Sequence, residues 1–215
     1  HIVIATSSDL ADAGLIKSLG RPGGNLTGIA DNSEVTAAKR FELLRELLPR
    51  ASRVGLLNNP DFPATPKIER LVQAAVQRAG VTVHILHARD RAALDAVLDG
   101  IRPKEIDALL LGGDGLFVAH SRALIERATA LRIPVVHFWP TTAGQGALLV
   151  HAPDVLENFK RSASYVDRIL KGAHPGDLPI YQPTRYELVV NLKAARALGI
   201  LVPQGFLLRV DRVIE

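Results

Sequence analysis

The chain has 215 residues, 47% hydrophobic and 22% charged, a length and balance that allow one large domain or two small ones around a buried core. Its formal charge of +4 comes from 26 lysines and arginines spread among 22 acids, and aromatic residues make up only 5%, so neither a basic block nor an aromatic stacking platform points to nucleic acid as a partner. Cysteine is absent, which excludes disulfides, thiolate nucleophiles and cysteine-bearing metal sites.

The first run, "HIVIAT", predicts a strand buried on both faces, and "LADAGLIKSL" a helix closed by Gly20, Pro22 and Gly23. "LTGIA" is a short strand. From Thr36 the apolar residues Ala37, Phe41, Leu44, Leu47 and Leu48 recur at helical spacing up to Pro49. "SRVGLLNNP" predicts a further buried strand, and its loop leads into "KIERLVQAAVQRAG", a helix with Thr65 as cap, Pro66 at its first position and Gly80 as its stop.

Strand and helix then alternate through "VTVHILHA", "DRAALDAVLDGI", "IDALLLGGD", "LFVAHSRALIERATALR", "IPVVHFW", "GALLVHAPD" and "LENFKRSASYVDRILKG". A proline-rich link precedes "ELVVNLKAARALG". This alternation is the pattern of an α/β fold with parallel sheets. No apolar stretch reaches the roughly 18 residues of a membrane span. Residues 53–139 supply enough elements for a compact lobe, whereas 1–50 supply too few for a sheet covered on both faces, and the pattern of a secretory leader is not found at His1, so the chain is expected either to be cytoplasmic or to continue upstream. The expectation is a chain whose first lobe is incomplete.

In open α/β sheets ligands sit beyond the carboxyl ends of the strands, where backbone N–H groups and helix dipoles converge. Those ends read "TSSD" at 6–9, "ADNS" at 30–33, "NNPD" at 58–61, "GGDG" at 112–115, "FWPTT" at 138–142 and "HAPD" at 151–154. Capping and turn chemistry account for any single one of them, while the set is more informative. Asp114 either faces a ligand ammonium or caps the helix near Leu116, and Trp139, the single tryptophan, either walls a pocket or packs in the core.

Catalytic constellations are scarce. His84 and His87 lie three apart on a strand and point to opposite faces, so they cannot share a metal. The remaining histidines are scattered, no H-x-x-x-H or H-E-x-x-H occurs, and neither a G-x-S-x-G elbow nor a phosphate-binding glycine loop is found. No catalytic residue, metal or cofactor is expected.

One stretch is more specific. "YVDRILKGAHPGDLPIYQPTRYELVVNLKAARALGI", residues 165–200, resembles the C-terminal signature of the ABC-transporter substrate-binding proteins, the group that includes tryptophan- and tyrosine-binding members. "GLIKSLGRPGGNLTGI" at 14–29, "KRFELLRELLP" at 39–49, "RVGLLNNP" and the ending "LLRVDRVIE" resemble further motifs of that family, in order.

The resemblance implies a type I periplasmic-binding-protein-like fold of two Rossmann-like lobes, truncated at its N-terminus, with 1–50 and 147–178 in lobe one and 53–140 and 179–215 in lobe two. It further implies a binding protein rather than an enzyme: the lobes close on a small solute, an amino acid or related molecule, and deliver it to an ABC permease at the membrane. Ser7, Ser8 and Asn32 would contact the solute from lobe one, and Asn58, Asn59, Thr65, Asp114 and Trp139 from lobe two. The location implied is periplasmic or otherwise extracytoplasmic, with a lipid anchor through a leader preceding His1. The alternatives are the effector-sensing domain of a transcription regulator with the same fold and a Rossmann-like enzyme.

Overall fold

The computed structural model describes residues 1–215 apart from Asp9, Asn32, Pro103 and the side chain of Ser33. Its elements run β1 (Ile2–Ile4), β2 (Leu26–Gly28), α1 (Ser33–Leu47), β3 (Arg53–Asn58), α2 (Thr65–Arg78), β4 (Thr82–His87), α3 (Arg91–Gly100), β5 (Ala108–Leu111), α4 (Gly115–Ala119) and α5 (Ser121–Ala130). They continue with β6 (Val135–His137), a 3₁₀ segment (Pro140–Gln145), β7 (Leu149–Pro153), α6 (Val155–Leu170), a 3₁₀ turn (Pro175–Asp177), β8 (Tyr186–Asn191), α7 (Leu192–Leu198), α8 (Gln204–Leu207) and β9 (Arg212–Ile214).

The chain divides into two compact units, His1–Ser33 with Pro153–Tyr186 and Glu34–Ala152 with Glu187–Glu215. In the first, β1 and β2 pair in parallel with Ile2 opposite Leu26. The segment 178–181 runs along the other side of β2: Tyr181 N donates to Gly28 O, Ala30 N to Tyr181 O, and the Thr27 hydroxyl to Leu178 O. Leu10, Ile16, Leu26, Ala30 and Ile180 form the core of this unit. Asp154 caps α6 by accepting from Glu157 N at 2.9 Å. That helix buries Asn158, Ser162 and Tyr165 and exposes Leu156, Phe159, Val166 and Leu170, an inversion of the usual amphipathic arrangement.

The second unit is built on a seven-stranded sheet of order β4-β3-β5-β6-β7-β8-β9. β3 pairs in parallel with β4 and β5, β5 with β6, β6 with β7, and β8 with β9. The two-residue strand period sorts the side chains into two cores. Val54, Leu56, Ala108, Leu110, Val136 and Val190 face α1 and α2. Leu57, Leu109, Leu111, Val135, Val150 and Val189 share the opposite core with α3, α4 and α5. Each fully buried leucine or phenylalanine contributes about 2 kcal/mol through removal from water, so the continuous apolar strands follow from being covered on both faces.

The structure departs from the sequence expectations at several places. No helix forms over 10–19: Leu10–Gly14 is a turn, with Gly14 N donating to Ala11 O, and Gly14 at φ 70° leaves the helical region. The helix expected over 116–132 is broken into α4 and α5 at His120. Thr65 is the first residue of α2 rather than its cap, and its hydroxyl donates instead to Asn59 O. The unit boundaries also lie elsewhere than the sequence division. Residues 34–50 group with the second unit, because α1 buries Phe41, Leu44 and Leu47 in the core that holds Val54 and Leu110; residues 147–152 join the same unit, and 179–186 join the first.

Candidate functional site

The carboxyl tips of β3, β5 and β6 carry Asn58, Asn59, Asp114 and Trp139, the second-unit residues that the sequence singled out, with Thr65 close by. Asn58 ends β3 at 1% exposure, and its Nδ2 donates to Glu69 Oε1 of α2 at 3.1 Å. Asn59, the next residue, donates from Nδ2 to Asp114 Oδ2 at 3.2 Å, while its Oδ1 accepts from Asp61 N and its carbonyl from the Thr65 hydroxyl at 2.6 Å. Asp114 follows β5 as the cap of α4, with Oδ1 accepting from Leu116 N at 2.7 Å. The capping reading of Asp114 is therefore realised, and the same carboxylate also reaches the β3 loop.

Trp139 stands half-buried at the start of the 3₁₀ segment after β6. Its position is set by His137, whose buried ring accepts from Phe138 N at 2.9 Å and Trp139 N at 3.1 Å on the same Nδ1. An imidazole nitrogen that accepts carries no proton, so the neutral ring holds its hydrogen on Nε2. Burial, aided by the charge of Arg40, depresses the His137 pKa to about 3, although the Phe117 backbone opposes the shift. The half-buried His151 of β7 falls to about 4 through burial, then Arg40 and Lys39, against Asp211.

Arg40 is one residue that sequence reasoning missed. It projects from α1 at 1% exposure, donates to the Thr36 hydroxyl at 3.1 Å and to Leu111 O at the end of β5 at 3.3 Å, and lies 5.8 Å from the Phe138 ring centre. A signal was present: Arg40 falls three residues after Ala37 and four before Leu44, on the inward stripe of its helix. Its charge lowers the pKa of both His137 and His151, so this edge of the sheet carries a positive field. At the start of α1, the buried Glu34 pairs with Lys67 Nζ of α2 at 3.5 Å.

In the first unit, the loop after β1 holds Ser7, half-buried, and Ser8, buried. Ser7 enters through its carbonyl, which accepts from Asp31 N at 2.7 Å. The side-chain contact is made by Thr6, whose hydroxyl donates to Asp31 Oδ2 at 2.7 Å, and the Asp31 carbonyl accepts from the Tyr186 hydroxyl at 2.7 Å. Thr6 and Asp31 thus join the two strand tips, though neither was singled out from the sequence. Asn32 lies outside the described residues.

The structure links Asn59, Thr65 and Asp114 by hydrogen bonds at one tip of the second unit, with Asn58 beside them but bonded to Glu69, and sets Ser7 and Ser8 in the β1 loop of the first. Among the described residues, no group of three or more His, Asp or Glu side chains is placed to hold a metal ion, and no helix is long and apolar enough to cross a membrane.

Comparison with known proteins adds the family. The Tyrosine-binding protein of Clostridioides difficile (strain R20291) is 24% identical over 200 residues, covering 93% of this chain; the chain in turn spans 57% of that relative's length. A crystal structure described as the ABC domain in complex with L-Trp from Streptococcus pneumonia matches with a TM-score of 0.90 at 24% identity, over 99% of this chain and 73% of that one. A LacI family transcriptional regulator from Bifidobacterium animalis subsp. lactis matches with a TM-score of 0.55 at 13% identity, over 76% of this chain and 62% of that one. At these identities the likenesses show the fold alone, an α/β architecture with parallel sheets of the type I periplasmic-binding-protein kind. The family model described as ABC transporter substrate binding protein, a family of binding proteins and not of enzymes, matches residues 1–214, and the chain belongs to that family.

Proposed function

We propose that the chain is the solute-capturing component of an ABC importer, acting outside the cytoplasm and handing an amino acid or a closely related small molecule to a membrane permease. The observation that carries this reading is the Asn59–Asp114 hydrogen bond, which sets a half-buried carboxylate beyond the carboxyl ends of two neighbouring parallel strands. A carboxylate there suits an ammonium group. The positive field of Arg40 and the backbone N–H groups at the starts of the helices suit a carboxylate on the same solute.

Family membership supports binding over chemistry, and the names of the relatives, one tyrosine-binding and one crystallised with L-Trp, support the amino-acid class. Ser7, Ser8, Asn58, Asn59, Thr65, Asp114 and Trp139 are the proposed contacts, with Arg40 added.

Isothermal titration calorimetry of the purified chain against L-tyrosine, L-tryptophan, the other proteinogenic amino acids and a set of small organic acids tests the reading. Saturable heat from at least one amino acid, with the solute recovered chemically intact, is expected. Heat only from non-amino-acid ligands, or a changed solute after incubation, overturns it.

A further inference from the structure

The side chain of Asn58 could present either its carbonyl or its amide hydrogens to the neighbouring strand tip, and Glu69 decides which. An ionised carboxylate only accepts hydrogen bonds, so the group facing Glu69 Oε1 at 3.1 Å must be Asn58 Nδ2. The same oxygen lies 2.8 Å from His87 Nε2 at the end of β4, which must likewise carry its hydrogen there. Two donors from two strand tips thus converge on one carboxylate oxygen of α2. Each bond is strengthened by the charge of its acceptor.

The consequence falls on the far side of the amide. With Nδ2 committed to Glu69, Asn58 Oδ1 turns toward β5, where it is buried without a hydrogen-bond partner. It occupies space that only a glycine leaves open, since a Cβ on Gly112 would lie 1.9 Å from it. Gly112 begins the turn that carries Asp114, and Asp114 N donates to Gly112 O at 3.2 Å. The carbonyl end of the Asn58 dipole and the carboxylate of Asp114 therefore bear on the same turn. An unpartnered buried acceptor is unfavourable, and the pull of Glu69 on the other end of the amide holds it here.

We propose that Glu69 is a positioning residue that acts through Asn58 to make the tips of β3 and β5 an acceptor pole, and thereby selects solutes bearing an ammonium group over the same solutes without one. This rests on the reading that the strand tips bind an amino acid, and it assigns the discrimination to a residue on α2 that need not touch the solute.

The test compares the affinities of the chain for L-tyrosine and for 3-(4-hydroxyphenyl)propanoic acid, which lacks only the α-amino group. The wild-type chain should prefer tyrosine. Glu69→Leu should reduce that preference about tenfold by weakening tyrosine alone, while Glu69→Gln, whose carbonyl still accepts from both donors, should keep it. Glu69→Ala serves as a second release variant, with melting curves confirming that each variant is folded. A preference retained in both release variants overturns the proposal.

If the wild-type chain binds neither compound, the tyrosine form of the functional reading fails, and the Asn58 side-chain amide settles the positioning role separately. By NMR its Nδ2 protons should be protected from exchange in the wild-type chain and in Glu69→Gln, and lose protection in the release variants. Equal protection in all four proteins overturns the proposal.

Discussion

Asn59 and Asp114 join the tips of two neighbouring parallel strands through a bond of 3.2 Å from Nδ2 to Oδ2, while the other carboxylate oxygen of Asp114 caps α4. One side chain thus has a structural duty and a proposed binding duty, and two substitutions separate them. Asp114→Ala removes both, costing about 1 kcal/mol of stability as a lost cap and at least tenfold in amino-acid affinity. Asp114→Asn keeps an oxygen for Leu116 N but turns an NH2 group toward Asn59 Nδ2, so it loses the charge and the bond between the strand tips while retaining the cap. It should melt above Asp114→Ala in a thermal scan while still losing affinity by calorimetry, and full affinity in Asp114→Asn would remove the carboxylate from the binding account.

Gly112 and Asn58 make a second coupled pair. A methyl group on residue 112 would lie 1.9 Å from Asn58 Oδ1, with both residues buried at the strand tips. Gly112→Ala should therefore destabilise by about 1–3 kcal/mol, the range for overpacking a close-packed site. Asn58→Ala clears the obstruction, so Gly112→Ala should cost far less on that background. Urea denaturation of the four members of the cycle measures the coupling, and additive costs would show that the clash is relieved elsewhere.

The central strands of the second unit were legible because burial on both faces leaves no polar alternation to interrupt them: "VGLL" and "ALLL" are apolar along their length, and Asp114 follows the second as a helix cap. The region 10–19 was not legible. Leu10 and Ile16 are buried while Leu15 is 56% exposed, a pattern close enough to helical spacing to mislead, and the left-handed Gly14 prevails over it. The orientation of α6 was hidden for another reason. Its sequence places Leu156, Phe159, Val166 and Leu170 on one stripe, yet the unit buries the stripe of Asn158, Ser162 and Tyr165, and only tertiary packing could reveal which face turns inward.

Within the candidate site, the strand-end loops could be read as segments but not as individual contacts. Thr6 and Asp31 join the tips of β1 and β2 by a side-chain bond that the sequence did not reveal, because a loop position fixes proximity and not the direction of a side chain. Arg40 was passed over because a charged residue in a helix is ordinarily a surface residue, and its burial depends on partners from Thr36 and β5.

Asp107 anchors the opposite edge of the sheet, accepting from Ser52 N, Arg53 N and the Arg53 guanidinium at 2.8, 2.9 and 2.7 Å. Burial alone would raise its pKa, but those bonds and the charge of Arg53 outweigh it and hold the group at about 2, below its ordinary 3.8. The native state thus resists a proton that the unfolded chain accepts, so the stabilisation is complete above pH 3.8 and fades as pH falls toward 2. Asp107→Asn should cost about 1–2 kcal/mol at pH 7 after allowance for solvent screening, and the gap to wild type should narrow near pH 2. A gap independent of pH, measured by urea unfolding, would assign the cost to packing.

His137 loses stability in acid as Asp107 does, but for a different reason: the form its site excludes is the charged ring. Its native pKa of about 3 lies below the ordinary 6.5, so between those values the unfolded chain binds a proton that the native chain does not. Stability from this residue is therefore intact above pH 6.5 and declines as pH drops toward 3, by up to about 1.4 kcal/mol per pH unit. His137→Asn separates titration from architecture: an asparagine Oδ1 takes the place of Nδ1 as acceptor for the N–H groups of Phe138 and Trp139, yet cannot be protonated. The variant should match wild type at pH 7 and exceed it by about 2 kcal/mol at pH 5, the shortfall that 1.5 pH units impose on the histidine form. His151 responds to acid in the same direction in both proteins, so the difference between their urea midpoints isolates residue 137. Parallel stability curves from pH 7 to pH 5 would mean that the native chain admits the proton, and that the two bonds to Nδ1 do not hold the turn that carries Trp139.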